Sequence, residues 1–247
     1  MKVLKDISYG KEARQKLDLY LPDKENCPLI IYFHGGGIES GDKSDANYAA
    51  MAKQFNSVGY AFASVNYGLY TQGARFPDFI YDCAKAVGFV KSRAAEWGCG
   101  SLIIAGQSAG AWLALMLCVN PKYLKSEDVE TSDISAWLID SAQTTSHFNV
   151  LKYEKNVDSR LQRIDEFAPL YYVDGNLRFN RMLVCFYSED MPCRKEQNLL
   201  FIRTVKEFFP QADLQWVQLQ GGHCRGSCIA DDDGGFAFVK TALSFLG

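Results

Sequence analysis

The stretch at residues 104–111, which reads IAGQSAGA, places Ser108 between two glycines directly after an apolar run. Its centre is a Gly-x-Ser-x-Gly pattern between a predicted strand and a predicted helix, which is the context of a nucleophile elbow. In such a turn the hydroxyl projects beyond the strand, and the start of the helix favours negative charge nearby. The context predicts that Ser108 is a nucleophile, although the five residues alone would also suit an ordinary turn serine.

A serine hydroxyl is a poor nucleophile without a base, and the chain offers three histidines. His223 follows the last predicted strand in Gln-Gly-Gly-His, where a glycine turn can bring an imidazole over the elbow. We expect His223 to be the base, the alternative being a histidine on a surface loop. His34 follows a buried strand, and His147 falls in a long connection as a lid residue, a pocket residue or an exposed side chain.

The histidine needs an orienting carboxylate, which should follow the strand predicted at residues 182–187. Two acids, Glu189 and Asp190, are adjacent at that place. We favour Asp190 as the orienting acid and interpret Glu189 as a solvated loop residue.

A run of three glycines follows His34 at the end of an apolar strand. Backbone N–H groups of Gly36 and Gly37 could face a ligand there, and Ala109 after the nucleophile could supply a third donor. Such donors stabilise the oxyanion of acyl transfer. A plain glycine turn is the alternative, but the run precedes an elbow in the expected order, which favours an oxyanion hole.

The elements that must position these residues alternate between strands and helices. Strands are predicted at residues 16–21, 29–33, 60–65, 102–105, 134–139, 182–187 and 214–219, and helices at residues 44–58, 78–97, 109–119, 194–209 and 236–245. This order predicts an α/β fold with a mostly parallel central sheet and helices on both faces. Ser44 is the predicted N-cap of the first helix, and Asp231 to Asp233 are the predicted acidic start of the last.

One segment, residues 141–180, interrupts this alternation, and a structureless loop of that length is improbable in a domain. We expect it to form helices over the ligand-binding edge of the sheet, as a small lid on a single domain spanning residues 1–247.

Composition limits the classes of partner. The chain has 247 residues, 48% hydrophobic and 22% charged, with a formal net charge of −3, so a general nucleic-acid or anionic-membrane surface is not expected. The N-terminal residues lack the apolar core of a signal peptide, and no run reaches the roughly 18 apolar residues of a membrane helix. These features predict a cytoplasmic protein.

Eight cysteines are spread along the chain without a Cys-x-x-Cys pair, so a zinc site is not expected. Cys83, Cys118 and Cys185 lie in apolar patterns and are predicted to be buried thiols. Cys224 and Cys228 flank the His223 region, where free thiols are favoured over a disulfide.

Together these residues resemble the α/β-hydrolase superfamily, in which the chain order is serine, acid, histidine. HGGG at 34–37 and GQSAG at 106–110 are similar to hormone-sensitive-lipase-like carboxylesterases and to feruloyl and acetyl esterases. The likeness continues at 40–44 (SGDKS), 64–69 (SVNYGL), 76–82 (FPDFIYD) and 167–173 (FAPLYYV), which covers nearly the whole chain.

The resemblance implies an α/β-hydrolase fold and a serine esterase without metal or organic cofactor. It implies a small-molecule ester as substrate, with catalytic Ser108, Asp190 and His223, an oxyanion hole at Gly36, Gly37 and Ala109, and a structural Asp82. The HGGG strand begins near residue 29, which leaves no room for an N-terminal helical cap and points to smaller, open esterases of acylated carbohydrates or small esters. An amide hydrolase of the arylformamidase or peptidase type is the nearest alternative, and a non-catalytic binding member of the fold is the third. The oligomeric state stays open.

Overall fold

Apolar strands form one eight-stranded sheet in the computed structural model, which describes residues 1–247. The strands are β1 Lys2–Ser8, β2 Lys16–Leu21, β3 Cys27–Phe33, β4 Ala61–Val65, β5 Cys99–Gln107, β6 Ile134–Asp140, β7 Arg181–Glu189 and β8 Asp213–Gly222. Their spatial order is β1-β2-β4-β3-β5-β6-β7-β8. Strand β2 runs antiparallel to both of its neighbours, β1 and β4, and β3 to β8 are parallel to one another. The predicted mostly parallel sheet is confirmed.

Helices lie on both faces of this sheet, as predicted. They are α1 Ala46–Ser57, α2 Asp78–Arg93, α3 Ala109–Val119, α4 Lys122–Lys125, α5 Phe148–Val150, α6 Arg194–Phe208, α7 Arg225–Cys228 and α8 Ala237–Leu246. One hydrophobic core contains residues of α2, α3 and α6, and the other contains residues of α1 and α8. No helix combines the length and the apolar composition that a membrane crossing requires.

The central strands are buried on both faces, which explains their continuous apolar sequence. On β3, Leu29, Ile31 and Phe33 point into the larger core, whereas Ile30 and Tyr32 point into the smaller one. Because side chains alternate along a strand, the β3 sequence LIIYF supplies both cores at once.

Several predicted boundaries are wrong in detail. The first helix begins after Asp45, whose carboxylate accepts a hydrogen bond from the Asn47 amide at 2.9 Å, so Ser44 is not the N-cap. The acidic run ends before α8, and its Asp233 pairs with Lys240 at 2.7 Å. The helix predicted at residues 78–97 ends at Arg93, since residues 95–97 tighten into a 3₁₀ turn. Strand β1, which the sequence did not predict, is an exposed edge strand with little apolar signal.

The segment at residues 141–180, here called the connecting segment, contains only short helical turns. They are α5, a π-helical turn at Leu151–Lys155 and a 3₁₀ turn at Pro169–Tyr172. Its first residues are polar but buried, and they bond to one another: Gln143 Nε2 donates to the Ser146 carbonyl at 2.9 Å, and Ser146 Oγ donates to Asp165 at 2.5 Å. Internal hydrogen bonds therefore order this segment in place of long helices.

Candidate active site

Ser108 occupies the sharp turn between β5 and α3, with φ of 53° and ψ of −114°. This is an unfavourable backbone conformation for a residue with a side chain. The Ser108 amide donates to the Asp140 carbonyl at 2.8 Å, which ties the turn to the neighbouring strand. A β-carbon at Gly106 would lie 2.3 Å from the Gly110 carbonyl oxygen, and one at Gly110 would lie 2.0 Å from that of Phe33. Both flanking positions therefore require glycine, because backbone passes where a side chain would stand.

The structure brings Ser108, His223 and Asp190 together in a hydrogen-bonded chain. His223 follows β8 directly, and its Nε2 lies 2.8 Å from Ser108 Oγ. Its Nδ1 lies 2.5 Å from Asp190 Oδ1. With Nδ1 protonated toward the carboxylate, Nε2 is the free base that faces the serine hydroxyl.

Asp190 lies just beyond the end of β7, and its side chain is only 1% exposed. Burial alone would raise the pKa of this carboxyl, but hydrogen bonds from His223 and Ser141 hold it below its usual value. Asp190 Oδ1 also accepts from the Met191 amide at 2.8 Å. Glu189, the other candidate, is an exposed residue of β7, and its backbone pairs with Gly222. The structure therefore brings Asp190 to the histidine and leaves Glu189 outside.

The glycine run after β3 passes beside the elbow, since a β-carbon at Gly35 would lie 3.4 Å from Ser108 Cβ. Gly36 and Gly37 have positive φ values of 108° and 64°, a backbone region that favours glycine. The N–H groups of Gly36, Gly37 and Ala109 have no acceptor within the chain. These N–H groups lie in the loop that passes the elbow and directly after Ser108, so they are available as hydrogen-bond donors to a bound oxygen atom.

The other two histidines are buried and belong to the scaffold. His34 stacks on Tyr67 with 4.3 Å between ring centroids, and burial lowers its pKa to about 4. His147 lies between Trp112 and Phe148, and burial, assisted by the charge of Arg194, lowers its pKa to about 3. Both rings are neutral at pH 7. The exposed alternative for His147 is wrong.

Asn149 of the connecting segment reaches the glycine run, although no sequence pattern marked it. Its Nδ2 donates to the Gly37 carbonyl oxygen at 2.7 Å, and the side chain is buried. The bond fixes the peptide that follows Gly37, and Phe148 packs beside the same glycine. From the sequence, Asn149 could be recognised only as one residue of the connection between β6 and β7, and that position does not distinguish it from its neighbours.

Asp140, at the end of β6, anchors the turn that carries His223. Its Oδ2 accepts from Ser227 Oγ at 2.5 Å, and Ser227 lies on α7, two residues beyond Arg225. Burial raises the pKa of the Asp140 carboxyl to about 7, although the hydrogen bond from Ser227 opposes the rise. A hydrogen-bonded carboxyl group thus connects β6 to the histidine turn.

The cysteines near His223 are free thiols, as favoured from the sequence. Cys224 Sγ is buried and lies 3.5 Å from His223 Nε2, while Cys228 Sγ accepts from Gln107 Nε2 at 2.6 Å. Cys83, Cys118 and Cys185 are buried, as predicted. No cluster of three or more histidine, cysteine or acidic side chains could hold a metal ion.

A surface cavity of about 780 Å³ lies away from this site. It is lined in part by Arg14, Tyr81 and Asp82, and none of the three site residues borders it. Asp82 accepts from Gln15 Nε2 at 2.7 Å and from the Gly68 amide at 2.8 Å, which agrees with a structural role. The side chain of His223 is 26% exposed, so solvent reaches the imidazole.

The family model that matches the sequence is BD-FAE, over residues 17–150, which is more than half of the chain. The chain belongs to the BD-FAE family. The match covers the glycine run and the elbow and ends before the acid and the histidine. The predicted α/β-hydrolase membership is confirmed.

Two curated proteins are similar to this chain in sequence. Gut esterase 1 of Caenorhabditis elegans is 31% identical over 145 residues, which is 53% of this chain and 26% of that protein. Kynurenine formamidase of Danio rerio is 31% identical over 117 residues, which is 46% of this chain and 38% of that protein. The matched regions thus span between a quarter and two fifths of these relatives' own length.

Among solved structures, esterase 2 of Thermogutta terrifontis with propionate bound superimposes with a TM-score of 0.79 and 21% identity, covering 98% of this chain and 93% of the esterase. Esterase B of Lactobacillus rhamnosis gives 0.76 with 14% identity, covering 99% and 84%. These similarities confirm the α/β-hydrolase fold over nearly the full chain.

Proposed function

We propose that this BD-FAE family member is a serine hydrolase of carboxylic esters, with Ser108 as nucleophile, His223 as base and Asp190 as orienting acid. The observation that carries the proposal is the continuous hydrogen-bond chain from Ser108 Oγ through both nitrogens of His223 to Asp190. Esterase relatives and esterase structures support the same reaction class.

In the first half-reaction, His223 Nε2 removes the proton of Ser108 as Oγ attacks the ester carbonyl. The ionised carboxylate of Asp190 stabilises the imidazolium that forms. The negative oxygen of the tetrahedral intermediate accepts hydrogen bonds from Gly36, Gly37 and Ala109, each of which is typically worth about 3–4 kcal/mol in such a hole. The alcohol then departs with the proton from His223 and leaves an acyl-enzyme.

In the second half-reaction, water takes the place of the alcohol. His223 removes a proton from this water, the hydroxide attacks the acyl-enzyme, and the acid is released as Ser108 regains its proton. Ser108, His223 and water thus account for every proton transfer in the two half-reactions.

The substrates we propose are small esters with short acyl groups, including acylated carbohydrates or aryl esters. Two features support a shallow acyl site. The His223 side chain is partly exposed, and the Phe148 ring lies beside Gly37. In this proposal the chain acts as one domain, and the connecting segment is a small lid whose Phe148 and Asn149 border the oxyanion loop.

Amide hydrolysis is the second candidate, and the match to kynurenine formamidase favours it. Ser108 would attack the amide carbonyl, and His223 would protonate an amine leaving group instead of an alcohol. Comparing the rates on matched aryl esters, anilides and N-formyl anilides separates the two candidates.

The test is hydrolysis of p-nitrophenyl acetate, butyrate and octanoate by the wild type and by Ser108→Ala. We expect hydrolysis of the short esters by the wild type and a loss of about 10⁴-fold or more in kcat in the variant. A serine-reactive phosphonate should label Ser108 in the wild type. A folded wild type that neither hydrolyses these esters, anilides or formyl anilides nor reacts with the phosphonate would support a non-catalytic binding protein instead.

A further inference from the structure

Ser141 lies directly behind the acid–histidine pair, at the carboxyl end of β6. Its Oγ donates a hydrogen bond to Asp190 Oδ2 and lies 2.9 Å from His223 Nδ1. The residue is completely buried. The hydroxyl therefore touches both partners of the pair from the buried side.

Donor counting fixes the direction of these bonds. An ionised carboxylate only accepts, so the single hydroxyl proton of Ser141 goes to Asp190. A lone pair of Oγ then faces the Nδ1–H of His223, which is shared between Ser141 and Asp190 Oδ1 at 2.5 Å. The three side chains form a closed triangle, in which Asp190 Oδ1 accepts from His223 and Asp190 Oδ2 accepts from Ser141.

The backbone of Ser141 is held in a conformation that a serine seldom adopts. Its φ is 57°, in the left-handed region, which carries a conformational cost for a residue with a β-carbon. The Ser141 amide donates to the Cys185 carbonyl at 2.8 Å, and the Ser141 carbonyl accepts from Arg194 Nη1 at 2.7 Å. Two neighbouring elements, β7 and α6, thus hold the residue so that its hydroxyl reaches the pair.

Arg194 is an unusual anchor, because it is 3% exposed and forms no ion pair with a carboxylate. Its Nε has no hydrogen-bond partner. The guanidinium instead ends on the Ser141 carbonyl, near Asp190, where its charge favours the ionised carboxylate. A buried guanidinium thus holds the backbone of Ser141 in place.

We propose that Ser141 is a positioning residue that keeps Asp190 ionised and oriented toward His223 during acyl transfer. The inference rests on the function proposed above. Without the hydroxyl, Asp190 Oδ2 retains only the Tyr187 amide at 3.3 Å, so the carboxylate loses its strongest contact on that oxygen and is held toward Nδ1 less firmly. Loss of this donor also raises the pKa of Asp190, since the bond from Ser141 lowers it.

The first experiment compares Ser141→Ala and Ser141→Gly with the wild type on p-nitrophenyl acetate. A hydrogen bond to a charged group corresponds to a fall of about 10- to 100-fold in kcat, with little change in KM. The glycine variant relieves the positive φ, so equal defects in both variants would assign the effect to the hydroxyl.

Ser135→Ala is the matched control. Ser135 Oγ donates to the Leu102 carbonyl at 2.7 Å, near the start of the same strand β6 and far from the pair. We expect wild-type kinetics from this variant.

A double-mutant cycle with Asp190→Asn tests whether Ser141 acts through the acid. In the Asp190→Asn background, Ser141→Ala should cost less than about 3-fold, because the carboxylate it serves is gone. Full additivity, unchanged kinetics in both single variants, or unfolding of both variants would overturn the proposal. An inactive wild type would instead refute the proposed function, so the two failures are distinct.

Discussion

The two halves of the site are built in different ways. Ser108 and the glycine run directly follow β5 and β3 at the centre of the sheet, where backbone packs directly against backbone. A β-carbon at Gly110 would lie 2.0 Å from the Phe33 carbonyl oxygen. Asp190 and His223 directly follow the outer strands β7 and β8, where side-chain hydrogen bonds such as that from Ser227 to Asp140 hold the turns.

Burial explains the contrast. Strands β3 and β5 have neighbours on both sides, whereas β8 is an edge strand that leaves Trp216 45% exposed. An edge strand supplies fewer packing contacts to fix the turn that follows it. The His223 turn therefore depends on tethers to other elements, including Gln107 Nε2 to Cys228 Sγ at 2.6 Å. The central half is positioned by sterics and the outer half by polar bonds.

The largest expected effect comes from removing the negative charge of Asp190, on which the outer half depends. We expect Asp190→Asn to lower kcat on p-nitrophenyl acetate by about 10⁴-fold, since a neutral amide no longer stabilises the imidazolium. The neighbouring Glu189→Gln is the matched control and should stay within about 2-fold of the wild type, because Glu189 is exposed. A large loss from Glu189→Gln with a small loss from Asp190→Asn would reverse the assignment of the acid.

The stability of the central half should instead depend on the volume of the side chains placed there. Gly110→Ala places a methyl group against the Phe33 carbonyl, and we expect it to lower the free energy of unfolding by about 3 kcal/mol. Urea titration measures the change. Gly175→Ala, where no atom lies within 4 Å of the new β-carbon, should change stability by less than about 1 kcal/mol. Equal midpoints for the two variants would refute steric control of the elbow.

The smallest expected effect tests the polar tether that joins the connecting segment to the central half. Asn149→Ala removes the donor to the Gly37 carbonyl, and we expect kcat to fall about 10-fold as the oxyanion loop relaxes. Asn176→Ala is the control, because Asn176 is exposed and bonds only within its own turn. A rise in KM with kcat unchanged would assign Asn149 to substrate binding instead of the loop.

Most of the fold could be predicted because strand and helix periodicities are local. The strand predicted at residues 16–21 and the helix predicted at residues 109–119 have the observed bounds of β2 and α3. Edge strand β1 was missed, since an exposed strand carries little apolar alternation. The caps were misplaced because Ser44 and Asp45 are both good capping residues and tertiary contacts decide between them.

The sequence by itself determined where glycine is required and which residue types stand at the ends of parallel strands. Those features are local, and they indicated Ser108, the glycine run and His223. Only the tertiary structure placed Asp190, and not Glu189, beside His223. It also buried the side chain of His147 and brought three further residues to the site: Ser141, Asn149 and Asp140. Hydrogen bonds between residues tens of positions apart leave no periodic signal in the chain, so they exist only once the strands have aligned their carboxyl ends.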